Sequence, residues 1–585
     1  MHSIPKVPMA LAAAGAALLA ALAGCGSLSP GVHPAASGAP AVMACEAAAT
    51  RFNFGGTRIV SAQKIPGGEL KLPGIAQPMP EHCVVKGLMN ERTGPVDGKP
   101  YAIGFEMRLP TQWNGRFFYQ ANGGFDGFQT PAYGDILGGG PASNGLLKGF
   151  AVISSDAGHA FDRSSPIGGA TFGLDPQARL DYGYNAVAQL TPMAKALIRG
   201  YYGKPPDVSY LVGTSNGGRH GFVTASRLPQ EYDGILVSTP GYRLPRAAVA
   251  QVWDAQQFAR IARINPTTGR PDLRSALSPA DMALLARSVL ARCDALDGLA
   301  DGIVADLQAC QAGFSIARDV PTCAVGTAPD GQCLSSGQKS ALAAVMAGPA
   351  DPSGSPVYAG LPWDPGMAAR DWGEWKFVNS VGPRDAIALA FVFTTPPVSP
   401  AIVNGQGHSL IDYALNFSLD TDLPKIFATS GAYAESSWSF MTPPDPTLGR
   451  FVARGGKLIV FHGTADPVFS PLDSIAWLEA FRRAHGAAAD QHARLFLVPG
   501  MNHSRGGPAT DQMDMVDALV KWVEQGQAPD AVMAHARGLG TAVPNPEVPA
   551  NWSPTRSRLL CPYPQVPRYR AGDIESAASF SCAAR

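Results

Sequence analysis

The stretch Val208-Ser209-Tyr210-Leu211-Val212-Gly213-Thr214-Ser215-Asn216-Gly217-Gly218-Arg219 decides the fold of this chain. A short apolar run ends in a pentapeptide, Gly213 to Gly217, that fits G-x-S-x-G, and a helix-like segment, Arg219–Leu228, follows it. In that motif a buried strand turns sharply into a helix and exposes the serine hydroxyl at a strained apex. An ordinary glycine-rich turn is the alternative interpretation, because a chain with 65 Gly matches the motif by chance fairly often.

Apolar runs alternate with helical patterns on both sides of this motif. The predicted strands are Tyr101–Leu109, Arg116–Gln120, Phe150–Ser154, Val208–Val212, Gly234–Ser238, Lys457–Phe461 and Arg494–Val498. The predicted helices beside them are Leu180–Tyr202, Leu472–His485 and Val516–Gln525. This alternation predicts an α/β fold. The pattern stops for roughly two hundred residues after Pro240-Gly241, where loops, four cysteines and scattered helices such as Pro279–Leu290 and Ser336–Met346 indicate a large insertion.

Composition excludes several classes of protein. With 585 residues, 46% hydrophobic and 16% charged, the chain is globular and can bury a large core. Its formal net charge is +0 and it has no long basic run, so we expect no nucleic-acid partner.

The N-terminus is typical of a targeting segment. Lys6 precedes an apolar run, Val7–Ala23, that is too short to favour a spanning helix. The run ends Leu22-Ala23-Gly24-Cys25, which looks like a bacterial lipobox and predicts a lipidated Cys25 after removal of residues 1–24. Cleavage and simple secretion is the alternative. Residues 26–44 are rich in Pro, Ala, Gly and Ser and are predicted to form a tether.

The remaining cysteines indicate disulfides in an exported protein, periplasmic, anchored to the outer membrane or secreted. Without Cys25 the count is even, and no C-x-x-C occurs that would favour a zinc or thioredoxin-like site. The sequence does not fix the connectivity, but pairing near neighbours gives Cys45 with Cys83, Cys293 with Cys310, Cys323 with Cys333, and Cys561 with Cys582.

Three residues past the ends of predicted strands have the chemistry of a nucleophilic triad. A serine hydroxyl needs a neighbouring base and an acid that orients it. Ser215, Asp466 and His503 occur in the order Ser, Asp, His that is typical of α/β-hydrolases. Taken singly, Asp466 fits a turn or a helix cap and His503 a loop histidine. The three together, in the correct order and context, favour the triad.

An acyl-transfer site also needs hydrogen-bond donors for a developing oxyanion. The amide of Asn216, directly after the serine, is one candidate. The Gly-rich turn after the Arg116–Gln120 strand supplies the other, at Gly124 or Gly123. A plain turn is the alternative there.

A second signal is the acidic stretch from Asp294 to Ile303. Asp294, Asp297 and Asp301 would repel one another unless a hard cation or solvent screened them, and calcium accepts carboxylates and backbone carbonyls. The carbonyls of Leu299 and Ile303 complete the predicted ligand set. Cys293 and Cys310 could close the loop. A solvated acidic turn is the alternative, and a structural ion fits better than a catalytic one because no histidine is near in sequence.

At these residues the chain resembles the tannase/feruloyl esterase family of α/β-hydrolases. The resemblance runs from Cys45 to Cys582. It is specific in the stretches PTQWNGRFF (Pro110–Phe118), FGLDPQARLDYGYN (Phe172–Asn185), CDALDGLADGIV (Cys293–Val304), ARLFLVPGMNH (Ala493–His503) and CPYPQ (Cys561–Gln565).

The resemblance implies a catalytic domain, 45–240 and 447–585, with an inserted lid domain at 241–446. It also implies the triad, the Gly124 and Asn216 oxyanion hole, the lid calcium and the four cysteine pairs given above. Phe393 and Phe469 match aromatic positions that cover the substrate ring, with ordinary core packing as the alternative.

Two departures from the family pattern concern the site. Thr214 and Ser504 stand where the family typically has cysteines joined as a disulfide, so the serine and histidine loops are not stapled. Ser380 stands where one member has a lid arginine for the substrate's free carboxylate, and Arg384, one helical turn later, is the candidate replacement.

The resemblance therefore implies a serine esterase for small aromatic carboxylic esters. The expected substrates are monoesters such as mono(2-hydroxyethyl) terephthalate, cleaved to terephthalate and ethylene glycol, with hydroxycinnamate or gallate esters as the alternative. We expect a monomer that meets a membrane only through a lipid anchor. A binding protein that kept the fold, or a peptidase, is the competing hypothesis, and an intact triad argues against the first.

Overall fold

The computed structural model describes residues 35–139, 142–165, 167–403 and 409–585. The predicted leader and Cys25 lie outside the described residues, so the lipid anchor stays a prediction. Within the described ranges, no helix is long and apolar enough to cross a membrane.

A nine-stranded mixed sheet forms the centre of the molecule. Its strands are β1 (Thr57–Ile65), β2 (His82–Thr93), β3 (Pro100–Pro110), β4 (Arg116–Ala121), β5 (Ala151–Ser155), β6 (Val208–Thr214), β7 (Gly234–Ser238), β8 (Lys457–Gly463) and β9 (Ala493–Val498). Their order across the sheet is β9-β8-β7-β6-β4-β5-β3-β2-β1. β4 to β9 are parallel, whereas β3, β2 and β1 continue the sheet in antiparallel pairing. The α/β fold predicted from the sequence is confirmed.

The register aligns the carboxyl ends of neighbouring parallel strands. Gly213 pairs with Ala121 of β4, and Gly463 at the end of β8 pairs with Val498 at the end of β9. Loops that leave these ends start side by side, and this is where open α/β sheets bind ligands.

Long helices pack on the sheet and in the insertion. They are α1 (Ala186–Tyr202), α2 (Asn216–Arg227), α3 (Leu244–Ala259), α4 (Pro279–Cys293), α5 (Ser336–Ala347), α6 (Pro471–His485) and α7 (Met515–Gln525). α4 and α5 begin with capping boxes, in which Ser278 and Asp281, or Ser335 and Gln338, bind each other's backbone amides.

Shorter elements fill the connections. Short α-helices are Ala48–Arg51, Pro176–Leu180, Leu307–Gly313, Ile316–Asp319, Arg370–Glu374, Asp385–Ala388, Leu410–Asn416, Ser437–Met441 and Gly449–Ala453. π-helical turns are Asp181–Asn185, Trp375–Asn379 and Leu389–Phe393. Turns of 3-10 helix are Cys45–Ala47, Gly168–Leu174, Leu273–Ser275, Asp294–Asp297, Pro365–Ala368, Pro400–Val403, Leu423–Ile426, Gly486–Gln491 and Ala577–Ser579. Small antiparallel pairs join Ala39–Pro40 to Gln112–Trp113, Arg263–Ile264 to Pro271–Asp272, Val532–His535 to Ser557–Leu560, and Val566–Tyr569 to Phe580–Ala583.

The insertion lies between β7 and β8 and is mainly helical in its described residues. It does not form a separate core. Val252 and Phe258 of α3 belong to the same buried cluster as Leu211 of β6 and Leu458 of β8. The domain limits drawn at 240/241 and 446/447 therefore stay a prediction.

Four disulfides join the predicted neighbours: Cys45–Cys83, Cys293–Cys310, Cys323–Cys333 and Cys561–Cys582. Each closes a loop of moderate length, which restricts the unfolded chain more than the folded one. Disulfides of this number are typical of an exported protein.

We predict that Gly217→Ala destabilises the fold, because a Cβ at Gly217 would lie 2.2 Å from the Ala121 carbonyl oxygen of β4. Overpacking against rigid backbone costs about 1–3 kcal/mol in the free energy of unfolding. Denaturant unfolding monitored by circular dichroism would measure it.

Gly200→Ala is the matched control. Gly200 is exposed in α1, and a Cβ there would meet only Met43 at 3.9 Å. That change should leave the protein as stable or stabilise it by about 0.5–1 kcal/mol. Equal stability of the two variants would contradict the close packing of the serine turn.

Candidate active site

Ser215 lies at the sharp turn between β6 and α2. Its backbone has φ 61° and ψ −123°, in the left-handed half of φ space that a residue with a side chain adopts only when its surroundings enforce it. Gly213 and Gly217 make the turn possible, because a Cβ at either position would come within 2.5 Å of backbone. The strained apex expected of a G-x-S-x-G motif is present.

The structure brings the three predicted triad residues together from separate strand ends. His503 Nε2 lies 2.9 Å from Ser215 Oγ, and His503 Nδ1 lies 3.0 Å from Asp466 Oδ2. Asp466 follows β8 and His503 follows β9, so the adjacent parallel strands place them. In this arrangement the imidazole can take the serine proton while the carboxylate fixes its tautomer.

The electrostatics of the pair favour a charged imidazole. Burial lowers the pKa of His503, but the charge of Asp466 and the hydrogen bond to it outweigh burial and raise the pKa above its usual value. Burial alone would raise the pKa of Asp466. The charge of His503 and hydrogen bonds from His462 and His503 outweigh it and hold that pKa below its usual range.

Gly124 and Asn216 flank the serine, as the predicted oxyanion hole requires. Gly124, with φ 64°, follows β4 and lines the same pocket as Ser215 and Asn216. Asn216 opens α2, whose first amides have no acceptor inside the helix. A Cβ at Gly123 would lie 3.6 Å from the Ser215 Cβ, so that residue packs beside the nucleophile.

A buried hydrogen-bond network contacts the two residues that are predicted to form the oxyanion hole. Tyr182 donates its hydroxyl hydrogen to the Gly124 carbonyl at 3.0 Å. The Asn216 side chain donates to Asp126 at 2.9 Å and accepts from Arg219 at 2.7 Å. Such second contacts fix the donor geometry that an oxyanion hole needs before the reaction begins.

An apolar pocket surrounds the Ser215 hydroxyl. Arg384, Phe393 and Phe469, the three residues predicted to bind substrate, all line it. The rest of the wall was not predicted from the sequence, and it consists of Phe125, Tyr182, Leu244, Trp375, Asp385, Ala388 and Val468. None of these residues belongs to a motif whose residue types and spacing indicate catalysis or binding, so the sequence alone did not mark them as functional. The resemblance could have indicated only those within its quoted stretches, such as Tyr182.

The lid cation of the pocket is Arg384 and not a residue at 380. Ser380 is fully buried and donates to Gln251 Oε1 at 3.0 Å, inside the lid. Arg384 lies beside the oxyanion turn, with its Nη1 3.5 Å from the position of a Cβ on Gly124. Its guanidinium is thus placed to meet an anion bound in the pocket.

Hydroxyl groups join the serine and histidine loops. Thr214 donates to Ser504 at 2.9 Å, and Thr239 Oγ1 lies 3.3 Å from Ser504 Oγ. Each such hydrogen bond contributes about 1 kcal/mol, less than a disulfide, which gives about 2–4 kcal/mol. The loops are therefore linked, but less strongly than by a covalent bond.

π-helical turns carry three walls of the pocket. Tyr182, Trp375 and Phe393 each lie in one of the three described π-helical turns. A π turn adds one residue to a helix and is frequent at functional sites, where it redirects a side chain.

In the acidic loop predicted to bind calcium, carboxylate oxygens accept hydrogen bonds from the loop's own backbone amides. Asp294 accepts from the Asp301 and Gly302 amides at 3.0 Å, and Asp297 accepts from the Leu299 amide at 3.1 Å. Asp301 forms an ion pair with Arg558. Among the described residues, no three His, Cys, Asp or Glu side chains gather closely enough to form a metal site by themselves.

The loop still has the chemistry of a hard-cation site. Asp297 is only 4% exposed, and burial together with the charges of Asp301 and Asp294 raises its pKa to about 7. The Leu299 amide and the charge of Arg568 compensate this carboxylate only in part, and a buried carboxylate beside like charges is stabilised by a cation. The donor set of carboxylates, with the carbonyls of Leu299 and Ile303, contains oxygen alone and fits calcium better than a transition metal.

Comparison with known proteins shows which family the chain resembles. Residues 83–583 match the family described as tannase and feruloyl esterase. A mono(2-hydroxyethyl) terephthalate hydrolase from Piscinibacter sakaiensis is 40% identical, with 87% of this chain and 86% of the relative covered. A probable feruloyl esterase from Arthroderma benhamiae is 28% identical over 82% and 81% of the two chains. The crystal structure of feruloyl esterase B from Aspergillus oryzae, at 20% identity, shares the fold with a TM-score of 0.69 over 92% of this chain and 99% of that one.

We predict that Asp466→Asn lowers kcat on the order of 10³–10⁴-fold, because the imidazole loses both its orientation and its stabilised charge. Activity needs neutral His503, so kcat/KM should rise with pH through the raised pKa of His503. In the variant that inflexion should move to lower pH.

A pH profile of kcat/KM on a chromogenic ester measures both effects. Asp530→Asn, at a carboxylate 90% exposed, is the control. A variant at 466 within about tenfold of wild type would contradict a triad role for this aspartate.

Proposed function

The chain belongs to the tannase and feruloyl esterase family and is a carboxylic ester hydrolase, and we propose that it cleaves small aromatic monoesters through an acyl-enzyme at Ser215. The observation that carries the mechanism is the pair of hydrogen-bond distances at His503, 2.9 Å to Ser215 and 3.0 Å to Asp466.

The first half of the reaction forms the acyl-enzyme. Ser215 Oγ attacks the ester carbonyl carbon while His503 Nε2 takes its proton, and Asp466 stabilises the imidazolium. The carbonyl oxygen gains negative charge and is bound by the Gly124 and Asn216 amides. The C–O bond to the alcohol then breaks, and His503 returns the proton to the departing oxygen.

The second half releases the acid. A water in the place of the alcohol loses a proton to His503 and attacks the acyl carbon, and the bond to Ser215 Oγ breaks with return of that proton. The products are a carboxylic acid and the free enzyme.

The pocket supports an aromatic acid with a free carboxylate as the acyl part. Phe393 and Phe469 give apolar faces for a ring, and Arg384 is the cation of the wall, beside Asp385, whose pKa burial raises to about 7. An arginine fork suits a planar carboxylate. Terephthalate has a ring and a second carboxylate, which agrees with the substrate named for the relative at 40% identity. Hydroxycinnamate and gallate esters are the second candidate, supported by the probable feruloyl esterase among the relatives.

We also propose that calcium binds the acidic lid loop and has a structural role. Asp294, Asp297 and Asp301 and the Leu299 and Ile303 carbonyls would hold it. A bound Ca²⁺ would neutralise the repulsion among the carboxylates and keep the loop folded, and it would supply no chemistry to the ester.

The substrate proposal predicts that Arg384→Gln raises KM for mono(2-hydroxyethyl) terephthalate by about 10–100-fold, the effect of losing a hydrogen-bonded charge partner. The methyl-capped diester has the same ring without a free carboxylate, so its KM should change by less than about threefold. Steady-state kinetics on both esters, with methyl ferulate and methyl gallate in parallel, would rank the acids.

Arg260→Gln is the matched control, since Arg260 is an exposed lid arginine at the end of α3. Faster turnover of methyl ferulate or methyl gallate than of the terephthalate monoester would favour the second candidate. An equal loss on the monoester and the diester would show that Arg384 does not bind the carboxylate.

The calcium proposal predicts that a chelator lowers the midpoint of thermal unfolding by about 2 °C, because a ligand at 100 times its Kd stabilises by about 2.7 kcal/mol and the entropy of unfolding of a chain of this length is about 1.2 kcal/mol/K. Added Ca²⁺ should restore the midpoint and Mg²⁺ should not. Asp297→Asn should abolish the calcium effect, while Asp330→Asn, at an exposed lid carboxylate, should retain it. A midpoint independent of calcium in wild type would refute the site.

A further inference from the structure

A second cavity lies against His503, beside the acyl pocket. Its volume is about 530 Å³, and its wall combines the polar side chains of Asp371, Glu547, Asp135, Arg505 and Ser504 with the apolar Leu137 and Trp375. Neither the triad nor the acyl pocket uses these polar side chains.

The two cavities divide the site at the catalytic dyad. The acyl pocket is lined by Ser215, Gly124 and Asn216, whereas His503 lines the second cavity. Trp375 lines both and packs edge-on against the His503 ring, with centroids 5.3 Å apart. The indole is therefore the partition between them.

The reaction requires the acyl part and the alcohol part of the ester to lie on opposite sides of the Ser215–His503 pair. When the acyl C–O bond breaks, the alcohol oxygen takes its proton from His503 Nε2, so that oxygen must lie next to the imidazole. The acyl ring occupies the pocket on the serine side. The second cavity is the one that the imidazole itself lines, so it is the space that we assign to the rest of the alcohol.

We propose that the second cavity is the alcohol subsite and that it selects hydroxyl-bearing alcohols, a glycol or a sugar unit, through the carboxylates of Asp371 and Glu547. This inference rests on the proposed acyl-enzyme mechanism and adds the alcohol class to it. The carboxylates accept hydrogen bonds from hydroxyl groups, and an alkyl alcohol would remove their water without replacing its hydrogen bonds.

Glu547 is held in place for this role. Its Oε1 accepts from the Arg370 amide and its Oε2 from the Gly507 amide, both at 2.8 Å. One amide comes from the lid and the other from the loop after His503, so the carboxylate bridges the two sides of the cavity. Each oxygen keeps a further lone pair for a ligand hydroxyl.

Asp371 reaches the cavity from the lid. It lies in the short helix Arg370–Glu374 and is half-buried. Burial raises the pKa of Asp371 to about 6, while the charge of His503 opposes the rise. Asp371 and His503 line the same cavity, so this carboxylate can meet an alcohol that His503 protonates.

The test compares esters of one acid with different alcohols. For terephthalate monoesters we expect kcat/KM to be about tenfold higher for 2-hydroxyethyl and 2,3-dihydroxypropyl esters than for the propyl ester, as expected of a hydrogen bond to a charged group. In Asp371→Asn and Glu547→Gln the ratio should fall to within about threefold. Asp420→Asn, at an exposed lid carboxylate, should keep the wild-type ratio.

A second measurement tests the alcohol preference with esters that lack the aromatic acid. Acetate esters of the same alcohols should show the same preference if the cavity binds the alcohol. Glycol added during turnover should also intercept the acyl-enzyme, forming a new ester and free Ser215, more efficiently than propanol does. A glucosyl ester that reacts faster than the glycol ester would identify a sugar as the occupant.

The outcomes separate the two proposals. An unchanged glycol-to-propyl ratio in both variants, or no preference in wild type, overturns the alcohol subsite. Fast acetate hydrolysis with that preference but no turnover of terephthalate, ferulate or gallate esters overturns the acyl proposal and supports the subsite. A merely structural role of Asp371 would slow all esters equally, so a uniform loss also contradicts the inference.

Discussion

Four groups hold the Asp466 carboxylate at a point from which water is excluded, and the site depends on this anion. The amides of Val468 and Phe469 donate to it at 2.7 and 3.1 Å, and His503 and His462 approach it at 3.0 and 3.3 Å. The same turn places Val468 and Phe469 in the acyl pocket. The group that orients the base therefore also positions part of the substrate wall, so the two cannot shift independently.

The serine side of the dyad is held by steric constraint instead of charge. Ser215 keeps its left-handed backbone because close backbone contacts at Gly213 and Gly217 leave the turn no alternative. The link between the serine and histidine loops is a third type of constraint, the hydroxyl cluster of Thr214, Thr239 and Ser504. Because the cluster contains no thiol, its strength does not depend on redox conditions, although it contributes less than a disulfide.

Elements with a local signal could be predicted from the sequence, and elements set by tertiary packing could not. Strands buried on both faces, such as β6 to β8, are continuous apolar runs, and turn glycines mark their ends. β1 is exposed along much of its length, so apolar and polar residues do not alternate regularly along it. Helix α3 lies in the insertion, which the sequence predicted to be rich in loops. Its buried residues Val252 and Phe258 belong to the same hydrophobic cluster as residues of the central sheet, and this packing fixes the helix.

For the same reason, the triad could be predicted from the sequence and the pocket walls could not. A nucleophile, a base and an acid must be particular residue types at strand ends, so Ser215, Asp466 and His503 were recognisable together, from their order and context, although not one by one. The walls need only an apolar face at the right place, and π-helical turns supply it for Tyr182 and Trp375. A π turn has no sequence signature, because it persists only when surrounding packing outweighs its poorer backbone geometry. Substrate choice can therefore change through lid packing while the strand-end chemistry stays constant, which is why fold and reaction followed from the sequence more readily than the pocket did.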